Sequence, residues 1–184
     1  MSRIPYPDRT QLSETKLGFL DTPNRRTLNV VRMAMHTPEV LWARQRDLSI
    51  AAVFDTTIDP RLREVLILRV GALSNSAYEL HHHRSIARQL GMDDAVIQAI
   101  EIGDYAALDE EARVVAQFTS ELVVDVSPSD ATLAAARALF SDALIFEMIA
   151  IIGVYMMTAR VIGVGGCEID DVAVSSWETE TLDG

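Results

Sequence analysis

PRLREVLILRVGALSNSAYELHHHRSIARQLG, residues 60–91, reads as two helices joined by a tight turn. Asp59 stands where an N-cap belongs, and Pro60 falls in the first turn, where a missing N–H costs nothing. The apolar run Val65, Leu66, Ile67, Leu68 and Val70 carries the first helix into a core. Ser74 and Asn75 break it, Ser76 restarts it, and Gly91 ends the second helix as a glycine just past its last turn.

Glu64 sits against that apolar run, while Glu79 and the consecutive histidines His81, His82 and His83 come early in the second helix. Ser76, Glu79 and His83 fall at i, i+3 and i+7, so they share one stripe that continues into Ile86 and Leu90. The polar end of an apolar stripe is where a cleft is expected. Glu64 lies roughly 15 Å of helix before the turn at Ser74, and His83 roughly 12 Å beyond Asn75. In an antiparallel hairpin the two are nearly level. Two carboxylates, an imidazole and a hydroxyl are therefore expected to converge.

Each of these residues also has a simpler reading. Ser76-Ala77-Tyr78-Glu79 fits the S-x-x-E capping box, in which Ser76 serves only the backbone. His83 could be a buried, hydrogen-bonded structural histidine. His82 lies about 100° around the helix from His83 and beside Tyr78 at i−4, and His81 is expected to face solvent. Glu64 could simply pair with Arg63, Arg69 or Arg160. Adjacent helical residues point in different directions, so three successive histidines do not clamp one ion. Glu79 and His83 with Glu64 could form a two-carboxylate, one-histidine site, but no H-x-x-x-H pair is present and no metal is expected.

A chain of 184 residues suits one domain with a full core, and 49% hydrophobic with 23% charged residues describes a globular protein. A formal net charge of −11 repels phosphate backbones and anionic membranes, so neither nucleic acid nor membrane is an expected partner. The one cysteine, Cys167, excludes an intrachain disulfide and a two-thiol redox centre. The polar, proline-containing start does not describe a signal peptide, which points to a cytoplasmic location. Met148 to Ala159, twelve uncharged residues between Glu147 and Arg160, is too short to span a bilayer and reads as a buried helix.

Residues 1–23, with Pro5, Pro7 and Pro23, show no helical period and are expected to form an extended arm over the body, with Tyr6 and Phe19 packing; the alternative is that the arm covers the cleft. An all-α domain over 24–163 follows, then an acidic tail over 164–184. Asn24 can cap a helix running to His36, where His36-Thr37-Pro38 turns and Pro38 starts the next helix. Asp93, Asp109, Ser127 and Ser141 are positioned to open four further helices, the last running to about Ile162. Arg69, inside an apolar run, is expected to balance a buried carboxylate such as Glu147, which needs either Arg69 or Tyr155. Trp177 is expected to anchor the tail. No segment alternates with a period of two, so the chain is all-α, a compact multi-helix domain built around the central hairpin.

The segment resembles the core motif of the carboxymuconolactone decarboxylase family, which includes the alkylhydroperoxidase D-like proteins. Redox members carry a glutamate and, twelve residues on, C-x-x-C-x-x-x-H. Here those positions are Glu64, Ser76, Glu79 and His83, so the spacing is kept and both cysteines are gone. A cysteine-free branch with Y-E-W-x-x-H is closer, matched by Tyr78, Glu79 and His83 with Leu80 where Trp is usual. Arg3 to Tyr6, His36 to Val40 and Ile152 to Tyr155 extend the resemblance. It implies a homo-oligomer (dimer, trimer or hexamer) joined partly through Met148 to Ala159. With these residues it implies a cofactor-free acid–base decarboxylase or lyase acting on a small carboxylated lactone or organic acid. His83 would be the general acid or base, and Glu64 its orienting or relaying partner. Glu79 would work beside them, with Tyr78, His82 and Ser76 binding substrate. The alternatives are a peroxidase-type antioxidant, opposed by the missing C-x-x-C, and a ligand-binding protein without catalysis.

Overall fold

In the computed structural model, which describes residues 1–23, 26–171 and 173, Asp59 accepts hydrogen bonds from the N–H groups of Arg61 and Leu62. This opens the helix on which the rest is assembled, Pro60–Leu73. Ahead of it come α1 (Glu14–Leu20), α2 (Asn29–Ala34) and α3 (Glu39–Phe54), so Pro60–Leu73 is α4. After it come α5 (Ala77–Gln89), α6 (Asp94–Ile102), α7 (Glu110–Asp125), α8 (Asp130–Leu139) and α9 (Asp142–Gly165). No strand occurs among the described residues, so the fold is all-α.

α4 packs against α5, α6, α7 and α9, and Val65, Leu66, Leu68 and Val70 are fully buried. Burial of each such side chain stabilises by about 1.5–3 kcal/mol before the entropy of ordering is deducted. Asn75, with φ at 51°, reverses the chain, and Ser76 caps α5 by accepting from the N–H of Glu79 at 3.4 Å. Close approach of the two arms depends on Gly71, where a β-carbon would stand 3.3 Å from Cβ of Glu79 and from Leu80. Gly91 follows α5 with φ at 82°, a backbone state that glycine adopts freely.

Several expectations need correction. The arm over 1–23 is not wholly extended: it holds a 3₁₀ turn at Arg9–Gln11 and helix α1, capped by Ser13. Buried Lys16 ties α1 down by donating to the carbonyls of Met35 and Thr37 at 3.0 and 2.7 Å. The helix expected from Asn24 starts only at Asn29; Asn24 and Trp177 lie outside the described residues. α8 is capped by Ser129 rather than Ser127.

Arg69 and Glu147 do not meet. Arg69 donates to Ser120 and to the carbonyls of Ile100 and Glu101, closing the end of α6. Glu147 accepts from the N–H groups of Thr57 and Ile58 and from the Thr57 hydroxyl. Backbone groups serve both charges.

α9 is the longest helix among those described, at 24 residues, and is long and apolar enough to cross a membrane by length and composition alone. Its inward face, including Ile151, Ile152 and Tyr155, joins the core around α4. Beyond its last turn Gly166, with φ at 63°, turns the chain back. There the carbonyl of Gly165 accepts from the N–H groups of Arg3 and Ile4, joining the arm to the end of α9.

Candidate active site

Glu64 on α4 and His83 on α5 meet inside the hairpin, with Oε2 of Glu64 2.7 Å from Nδ1 of His83. An ionised carboxylate only accepts, so Nδ1 carries the proton and Nε2 is left to exchange one. Nε2 lies 3.5 Å from Oε2 of Glu79, one turn earlier on the same helix, at ion-pair rather than hydrogen-bond distance. The Nε of Arg63 stands 3.9 Å from the second oxygen of Glu64, and the Tyr155 ring of α9 meets the His83 ring edge-on at 5.1 Å. Glu64, Glu79 and His83 are all buried.

The electrostatics of the trio follow from that burial. Desolvation alone would lower the pKa of His83, but Glu64 and Glu79 outweigh it and the pKa is raised. Glu79 is pushed up to about 7, chiefly by desolvation and further by Glu64, against the opposing pull of His83. Burial, then the two carboxylates, raises Tyr155 well above the ordinary phenol value. The trio therefore favours a protonated His83 and a neutral Glu79 more than water would, while Glu64 holds the imidazole in place.

Glu79 and His83 border a cavity of about 210 Å³. Its walls are mostly apolar, drawn from Phe19 of α1, Val30 and Val31 of α2, Trp42 and Ile50 of α3 and Val154 of α9. Glu79, His83, Tyr155, Tyr78 and His82 form its more polar side, with Arg26 and Arg46 elsewhere on the lining. A 150 Å³ apolar cavity accommodates benzene, so this space suits a small organic molecule somewhat larger.

The other sequence-selected residues divide. Ser76 spends its hydroxyl on the Glu79 N–H and is not part of the cavity wall. Tyr78 and His82 reach the wall, but their polar atoms are engaged. The Tyr78 hydroxyl donates to Asp170 and accepts from the N–H of Val30, and Nε2 of His82 lies 3.2 Å from the same Asp170 oxygen. Desolvation, only partly opposed by Asp170, lowers the pKa of His82 to about 4, so its ring is neutral at neutral pH. His81 is half-buried rather than solvent-facing, with its ring edge-on to His82. Among the described residues, no group of three or more His, Cys, Asp or Glu side chains could hold a metal ion.

Sequence reasoning missed Asp170, the placement of Tyr155 and the α2–α3 wall, while Phe19 of the arm does line the cavity. Tyr155 was expected beside Glu147 rather than His83, and nothing local to Asp170 distinguishes it from the other acids of the tail.

The sequence profile of the Carboxymuconolactone decarboxylase family matches residues 38–121, the span from the start of α3 to α7 that contains Glu64, Glu79 and His83. Over that span, a little under half of its length, the chain resembles the carboxymuconolactone decarboxylase family. The fold of the AhpD-like proteins recurs in solved structures. An uncharacterized peroxidase-related protein with an alkylhydroperoxidase AhpD core, from Ralstonia eutropha JMP134, superposes with a TM-score of 0.73 at 17% identity, covering 92% of this chain and 93% of that one. A peroxidase-related protein from Silicibacter sp. TM1040 gives 0.71 at 19%, covering 91% and 87%. A protein of unknown function from Agrobacterium tumefaciens, described as an AhpD candidate for antioxidant defence, gives 0.67 at 18%, covering 76% and 96%. Comparison with curated proteins returns no match. At these identities the structural likeness speaks for the AhpD-like fold alone. Tyr155 and Asp170 lie outside the span matched by the family profile.

Proposed function

We propose that this chain is a cofactor-free acid–base enzyme, a decarboxylase or related lyase acting on a small carboxylated lactone or keto acid. The observation that carries the reading is the placement of His83. Its Nδ1 is fixed by Glu64, and its ring borders the cavity with Glu79 beside Nε2. Loss of carbon dioxide breaks a C–C bond and leaves its electron pair on the substrate. A neighbouring carbonyl takes that pair as an enolate, and the carbon then needs a proton. Protonated His83, or neutral Glu79 beside it, can supply that proton. Arg26 and Arg46 on the lining are the cationic groups available to bind the substrate carboxylate before it leaves, although Arg46 also pairs with Asp47.

The peroxidase-type alternative finds less support. Ser76 and Glu79 occupy the thiol positions of the redox motif, and burial followed by Asp170 pushes the thiol of Cys167 up to about 11. Subunit assembly belongs to the same proposal. Val40 and Leu48 of α3 and Phe146 and Val164 of α9 expose large apolar side chains on which a second copy could dock. Light scattering in solution tests this.

The decisive experiment is a mass-resolved screen of carboxylated lactones and keto acids against the wild type and His83→Gln. Turnover by the wild type that vanishes in the variant while binding persists supports the enzyme. Binding by both without turnover by either identifies a ligand-binding protein, and undiminished turnover by His83→Gln overturns the assignment.

A further inference from the structure

We propose that Asp170 is a positioning residue of this site: it fixes His82 as the Nε2–H tautomer, pins the Tyr78 hydroxyl, and so confines acid–base work at the cavity to Glu79 and His83. The inference rests on the acid–base reading of His83 and deepens it by assigning its neighbours.

Asp170 is buried, although it comes from the segment beyond α9. Its Oδ2 receives the Tyr78 hydroxyl and stands 3.2 Å from Nε2 of His82, while Oδ1 accepts from the N–H of Asn29 at 3.2 Å. A carboxylate has no proton to donate, so the bond to His82 requires the hydrogen on Nε2. Glu64 imposes the opposite choice on His83, whose hydrogen sits on Nδ1. Two adjacent imidazoles, both on the cavity lining, are therefore held in opposite tautomers by carboxylates from opposite sides of α5 in sequence.

The consequences differ for the two rings. His83 turns its exchangeable nitrogen toward Glu79. His82 has Nε2 spent on Asp170 and stacks at 4.7 Å with Tyr78, whose hydroxyl is spent on the same oxygen. These two residues form wall rather than acid–base machinery. Through Asn29 the same carboxylate also ties the start of α2 to α5, fixing the space between two helices that line the cavity.

The test is ¹⁵N NMR of the full chain labelled at histidine, comparing the wild type with Asp170→Ala and Asp170→Asn. At a pH high enough for His83 to be neutral, wild-type His82 is expected as the Nε2–H tautomer and His83 as the Nδ1–H tautomer. In Asp170→Ala, His82 should become a tautomer mixture with its ring N–H exchanging about tenfold faster. Asp170→Asn, which keeps an acceptor oxygen, should restore most of the wild-type pattern. His83 should be unchanged in both, which a general packing defect would not allow. His82 protonated on Nδ1 in the wild type, or indifferent to Asp170→Ala, overturns the proposal. Should Asp170→Ala fail to fold, the wild-type spectrum and Asp170→Asn still decide it. None of these signals depends on turnover, so loss of the His83 assignment would be seen separately in the His83→Gln screen.

Discussion

Oε2 of Glu64 lies 2.7 Å from Nδ1 of His83, nineteen residues further along the chain and on the opposite arm of the hairpin. Both side chains are buried, so the pair is not screened by water as a surface contact would be. Glu64→Gln keeps an acceptor at this position but removes the charge, and burial would then lower the pKa of His83 unopposed by its nearest carboxylate. Turnover is expected to fall by about 10²-fold or more. If protonated His83 is the acid, the alkaline limb of the pH–rate profile should also move to lower pH. An unmoved limb would show that Glu64 does not set the state of His83.

Glu79 titrates at about 7 in the folded chain against an ordinary 4.5. Between those values the folded chain keeps a proton that the unfolded chain has released. Stability is therefore lost as pH rises through this window, and the cost is complete above about pH 7. Glu79→Gln cannot titrate, so its stability relative to the wild type should rise from pH 4.5 to pH 8, by on the order of 2 kcal/mol. Urea midpoints at the two pH values measure this, and a difference independent of pH would refute it.

His82 gives the opposite sign. Its folded pKa of about 4 lies below the ordinary 6.5, so its contribution is present above pH 6.5 and lost as pH falls toward 4. His82→Gln should lose less stability than the wild type between pH 6.5 and 4. Parallel thermal melts across that range make the comparison.

Gly71 sets the spacing of the arms. A β-carbon there already meets Cβ of Glu79 and Leu80 at 3.3 Å, so the larger side chain of Gly71→Val must push α5 away from α4. Destabilisation of about 1–3 kcal/mol is expected, with a loss of turnover beyond that explained by the unfolded fraction. Thermal unfolding and activity measured on the same sample separate the two effects.

Cys167 serves as the redox control. With its thiol held near 11, it is almost wholly protonated at neutral pH. Cys167→Ser should retain full turnover, and both proteins should consume cumene hydroperoxide only at the background rate. Peroxide turnover that disappears in Cys167→Ser would revive the antioxidant alternative.

The hairpin and its central pair were legible because both depend on local rules. The Asp59 cap, the break at Ser74 and Asn75 and the 1.5 Å rise per residue place Glu64 level with His83 without tertiary information. Charge pairing was less legible. An arginine and a glutamate set within apolar runs suggested each other, yet Arg69 and Glu147 found backbone groups, which look alike at every position in a sequence. Asp170 was out of reach for a different reason. It meets His82 across 88 residues, after a reversal at Gly166 whose direction no local pattern encodes. The helix in the arm was hidden by the prolines around it, although Ser13 is an ordinary cap in hindsight.

The junction at Gly165, where the N–H groups of Arg3 and Ile4 close onto the last turn of α9, has a kinetic meaning. Contacts spanning so much of the polypeptide demand the largest loop closure and are expected to form last, long after α4 has gathered its neighbours. The arm, whose Phe19 lines the cavity, thus belongs to a late-docking unit, separable in energy from the helical body around α4.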